Sequence, residues 1–209
     1  MVELSREDQY LLKEYENAAQ VTFHIDELRN SLTGFFVAFS GLAAAALAFL
    51  LKEQPSFNLG IGLPTVVSIL LALLGVLGLI VVLILARCRR VQLEHFRIIN
   101  NIRTHFLGTD VTLWNVVQLS ANTVPAPTRT SGTYYWASMI MLATALMLSG
   151  AAYLALAKVF VWMCPQCSLV VSAGFFLVVW VLEDRLYMSR AKAPQAVTYT
   201  ATDVAKLKS

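Results

Sequence analysis

Four stretches of the chain carry no Asp, Glu, Lys or Arg: Ser31–Leu51, Pro64–Ala86, Ser131–Ala157 and Gln166–Leu182. At 1.5 Å per helical residue the first is about 32 Å long, enough to cross a hydrocarbon core of roughly 30 Å. The last spans once it extends by a turn at either end. The pattern predicts an all-α, polytopic membrane protein with four transmembrane helices arranged as two hairpins. Between the second and third runs stands Arg87–Leu107, a basic segment that divides the chain into halves.

The polar segments beside the first two runs are patterned as well. Leu11, Ala18, Val21, Ile25, Leu28 and Leu32 fall on a heptad-like spacing, and no Gly or Pro interrupts Ser5 to Thr33. Ser5 followed by Asp8 reads as an N-cap pair. After the second run, Val91, His95, Ile98, Ile102 and Phe106 recur at helical spacing. Two cytoplasmic stalk helices, continuous with the first two spans, are therefore expected to pair through Leu11, Ala18, Ile25, His95, Ile98, Ile102 and Phe106. Asp110 can cap a short interfacial helix carrying Val111, Trp114 and Val117, and VPAPTRTSG reads as a linker. The organisation expected is an amphipathic helix over 1–30, a first transmembrane hairpin over 31–86, and basic and interfacial helices over 87–123. A linker over 124–133, a second hairpin over 134–186 and a flexible tail over 187–209 follow.

Composition agrees: 57% of positions are hydrophobic and 14% charged, against about a quarter charged in a soluble domain. Fourteen of the sixteen basic residues fall before the first run, between the second and third, or after the fourth; only Lys52 and Lys158 lie on the other side. The positive-inside rule puts both termini and the central segment in the cytoplasm of what reads as a bacterial inner-membrane protein. The net charge of +3 is then a topology signal, and no nucleic-acid partner is expected. The partner it implies is a bilayer with anionic headgroups, met by Arg87, Arg89 and Arg90 at about 1 kcal/mol each. A cleaved leader is not expected, because seven carboxylates precede the first run where a positive region would be needed.

Small residues recur four apart in the first span, as Gly34 with Ala38, Ser40 with Ala44, and Gly41 with Ala45. Gly75 and Gly78 join Ser68 and Ala72 on a similar face of the second. Such faces let helix backbones approach closely in lipid, within one chain or between copies.

Candidate chemistry is sparse. Cys164 and Cys167, in CPQC, are expected at the outer face, where they are candidates for a disulfide. Membrane thiol oxidoreductases of the vitamin K epoxide reductase and disulfide-bond-formation families carry such a motif. They also use a second cysteine pair, whereas the one other cysteine here, Cys88, sits on the opposite face. Arg90 and His95 have the R-x4-H spacing of HEPN ribonucleases, but Val91 follows the arginine where those enzymes carry a polar residue. His24, His95 and His105 are too dispersed to argue a metal site. With no ionisable residue inside any run, a secondary transporter is disfavoured. No cofactor and no catalytic residue are assigned.

The order of cytoplasmic helix, span, short outer turn, span and cytoplasmic helix over residues 5–107 resembles the SLATT-type membrane effector domains of bacterial defence systems. It is also similar in outline to small membrane accessory proteins of some CRISPR loci. The resemblance implies a homo-oligomer that forms a pore or perturbs the membrane; the second hairpin departs from its two-span pattern. The function expected is that of a non-enzymatic, self-associating membrane protein with pore-forming or membrane-perturbing activity. The alternatives are an accessory subunit of a larger membrane complex and, behind it, a thiol–disulfide redox protein using Cys164 and Cys167.

Overall fold

The computed structural model describes residues 5–52, 62–107, 129, 131–159 and 165–192. These form four helices: α1 (Arg6–Lys52), α2 (Leu63–Leu107), α3 (Gly132–Val159) and α4 (Pro165–Ala191). Each is long and apolar enough to cross a membrane. The interfacial helix expected after Asp110, nearly all of the linker, and Cys164 lie outside the described residues.

Local chemistry sets the helix starts. The Asp8 backbone N–H donates to Ser5 Oγ at 3.1 Å, so one of the four orphan N–H groups of the first turn is satisfied, and the Ser5 hydroxyl donates in turn to the Asp8 carboxylate at 2.7 Å. This bond and the nearby His105 hold the Asp8 carboxyl below its usual range. α2 carries Pro64 in its first turn, where no backbone N–H is required, and α4 opens on Pro165. Ser131 caps α3 through its carbonyl, which accepts the Tyr134 N–H at 2.9 Å.

α2 is the central element and packs against all three others, most extensively against α3. α1 and α2 run antiparallel: Asp8 lies 3.6 Å from His105, Tyr15 accepts from Arg103 at 3.0 Å, and Asp26 accepts from Gln92 at 3.1 Å. α2 and α3 are also antiparallel. Gly78 lies against Thr144, Gly75 against Leu148, and the Ser68 hydroxyl donates to the Ala151 carbonyl at 2.9 Å. An interhelical bond of this kind contributes about 0.6 kcal/mol in a membrane.

The core joins all four helices, so the two halves of the chain share one interior. Phe36 of α1, Val81, Val82, Leu85 and Ala86 of α2, Ala137, Ile140 and Met141 of α3, and Tyr187 and Ala191 of α4 are buried together. Burial of Tyr187 and Ala191, four residues apart on one face, carries α4 past residue 187, where the flexible tail was expected to begin.

Candidate functional site

The middles of α1 and α2, where they meet the start of α3 and the end of α4, hold two neighbouring arrangements: a partly buried polar chain and an open arginine groove. The chain starts at Arg89, 8% exposed, whose Nη1–H donates to Gln92 Oε1 at 2.9 Å. Gln92 Nε2–H donates to Asp26 Oδ1 at 3.1 Å, and Asp26 pairs with Arg29 at 3.1 Å. Arg29 in turn donates to the Thr133 hydroxyl at 3.5 Å. One carboxylate is thus shared by two guanidiniums through an amide, and the chain ties α2 to α1 and α1 to α3. Burying Arg89 is tolerable because Gln92 meets part of its donor fork and transmits it to a charge.

The groove lies between α2 and α4, encloses about 540 Å³, and is lined by Leu83, Arg87, Arg90, Val91, Glu94 and Arg190. Arg90 Nε–H donates to Glu94 at 3.2 Å across one turn. Three guanidiniums against one carboxylate leave the groove positive.

These positions revise the headgroup assignment. Arg87 and Arg90 are exposed, but Arg89 faces the interior and is withdrawn from lipid contact. At about 100° per helical residue Arg87 and Arg90 lie about 60° apart and Arg89 on the far side. That phase is a sequence signal the count of three arginines ignores. Arg190 lines the groove beside Arg87 and Arg90, a residue that reading 187–209 as tail leaves out.

The small-residue faces also divide. Gly75 and Gly78 are buried in the α2–α3 contact, while Gly34 and Gly41 meet nothing within 4 Å, and Ala38, Ala44 and Ala45 are exposed beside them. Of the pairing residues, Ala18, Ile25 and Ile102 are buried, Leu11 and His95 half-buried, and Ile98 and Phe106 exposed. The α2 side of the contact keeps Ile102 and adds Gln92, which bonds Asp26 of α1. Gln92 and Arg103 reach polar partners on α1, which a search for apolar periodicity passes over.

A further group was not foreseen. Glu183, one residue past the uncharged run Gln166–Leu182, is 2% exposed, and neither carboxyl oxygen has a hydrogen-bond partner. Its neighbour Asp184 behaves ordinarily: it accepts from the Tyr134 hydroxyl at 2.7 Å and pairs with Arg129, whose guanidinium it holds further above its usual value. Arg90 is engaged by Glu94, and His95 Nδ1 lies 2.9 Å from the Val91 carbonyl, so each is turned to its own helix. Among the described residues no three His, Cys, Asp or Glu side chains converge.

Searches of protein-family models, curated proteins and solved structures find no match to this chain.

Proposed function

We propose that the chain is a non-enzymatic integral membrane protein that assembles with copies of itself through α1. In this reading the charged halves of α1 and α2 stand off the bilayer as a paired stalk. The arginine-rich ends face the cytoplasm of a bacterial inner membrane, in keeping with the distribution of basic residues. Assembly would then open a pore or perturb the membrane.

One observation carries the proposal: among the described residues, the small-residue face of α1 has no packing partner at Gly34 or Gly41. The most apolar part of α1 is 11% buried, against 39% for that of α2. Gly75 and Gly78 use their missing side chains to admit Leu148, Thr144 and Phe36, whereas Gly34 and Gly41 admit nothing. Lipid tails give no hydrophobic drive for helices to associate, so a small-residue face acts by close backbone packing against another helix.

A groove of about 520 Å³, lined by Arg29, Asn30, Thr33, Gly34, Val37, Ala38 and Trp136, opens on the same face. Its largely apolar lining, with Arg29, Asn30 and Thr33 at one side, also suits a second reading, in which a helix of a larger complex docks there. Cross-linking of single-cysteine variants at Ala38 and Ala45 separates the two. Chain-to-chain products support self-assembly; products only with other membrane proteins support an accessory subunit. A pore is tested afterwards by ion flux from liposomes containing the assembled protein.

A further inference from the structure

We infer that the groove formed by Arg87, Arg90 and Arg190 is a binding site for one anionic phospholipid, its phosphate held by the three guanidiniums. The inference rests on the chain spanning a membrane and is independent of how many copies assemble.

The α2 surface leading to the groove selects an amphiphile. Ile69, Leu73, Val76, Ile80 and Leu83 are exposed and succeed one another by alternating steps of four and three residues. The next two steps are Arg87 and Arg90, also exposed. One helix stripe therefore passes from about 21 Å of uncovered apolar surface into two guanidiniums without changing face. Half of a hydrocarbon core is roughly 15 Å thick, so the apolar part is long enough to follow an acyl chain through one leaflet. Free phosphate would use the arginines and leave the stripe unexplained.

Arg190 gives the groove a second wall. Its arrival from α4 turns a helix surface into a cleft with donors on two sides, and guanidinium forks suit phosphate oxygens through paired N–H bonds. The headgroup favoured is net anionic, because a choline or ethanolamine ammonium would sit in the same positive field. Glu94 opposes binding and competes for Arg90 at 3.2 Å.

The test uses the full chain in nanodiscs of phosphatidylcholine containing a minor fraction of phosphatidylglycerol, with retained lipids counted per chain by native mass spectrometry. Wild type is expected to retain phosphatidylglycerol over phosphatidylcholine. Arg190→Gln should reduce that retention about fivefold, the equivalent of the roughly 1 kcal/mol a basic residue contributes beside an anionic surface. Arg190→Lys, which keeps the charge and spares the fold, should lose part of it through the missing fork, and Lys13→Gln should lose none. Glu94→Gln should increase retention. Equal retention of the two lipids, an equal loss in Lys13→Gln and Arg190→Gln, or displacement by millimolar inorganic phosphate would overturn the site. A monomer that still retains phosphatidylglycerol would refute self-assembly and leave the lipid site standing.

Discussion

At Gly78 a single added methyl would collide with the Thr144 hydroxyl and stand 3.1 Å from the Phe36 ring. Neither neighbour yields easily: Thr144 is fully buried and donates to the Ile140 carbonyl at 2.7 Å, and Phe36 belongs to the shared core. Gly78→Ala should therefore cost about 1–3 kcal/mol by overpacking, read from denaturant unfolding in micelles. Gly34→Ala, with no described atom near the added methyl, should not destabilise the isolated chain and should add up to about 1 kcal/mol through helix propensity. Equal effects at the two positions would contradict the assignment of faces. Helical spacing makes both glycines visible in the sequence, Gly34 four residues from Ala38 and Gly78 three from Gly75, but nothing in it says which one α3 covers. Asp8 gives a second residue-scale outcome. Its carboxyl titrates below 3.8 in the folded chain, so the stability it adds is present above that value and is lost as pH falls through the lower folded one. Ser5→Ala should remove this acid-side dependence, followed by helicity against pH between about 5 and 2.

Among elements, the α1–α2 pair was the most legible and also the most instructive failure. Length, the absence of Gly and Pro over residues 6–33, and the cap at Ser5 predict a long continuous helix, and α1 runs unbroken from Arg6 to Lys52. The contact seam is legible only in its apolar part, because hydropathy assigns Gln92, Asn100 and Arg103 to solvent, whereas Gln92 and Asn100 are buried and Arg103 lies 5.6 Å above the Tyr15 ring. Arg103 also bonds the Tyr15 hydroxyl, so a double-mutant cycle on Tyr15→Leu and Arg103→Gln, which removes both ring and hydroxyl, should return a coupling of about 0.5–1 kcal/mol. A coupling near zero would detach these halves of the helices from one another. α3 and α4 were legible only as spans. They are apolar on most sides, so no periodicity marks the inward face, and the burial of Tyr187, Ala191 and Glu183 at the end of α4 could not be read. Glu183 is notable for the same reason: a carboxyl just outside an apolar run is ordinarily expected to meet water.

For the molecule as a whole, α2 packs against α1, α3 and α4, while α1 touches the rest chiefly through α2. That asymmetry leaves Gly34, Ala38, Gly41 and Ala45 on the outside of the bundle, and the proposed assembly gives them a partner. Gly41→Leu and Ala44→Ile should then shift the protein to monomers without lowering the stability of the single chain, because neither site is packed within it. A fall in single-chain stability with no change in mass would place both residues in an internal contact. The most direct test of the account is the mass of the wild-type protein in nanodiscs by native mass spectrometry. One closed oligomer of defined copy number that Gly41→Leu dissolves is the expected result; a monomer at every protein concentration would contradict assembly through α1.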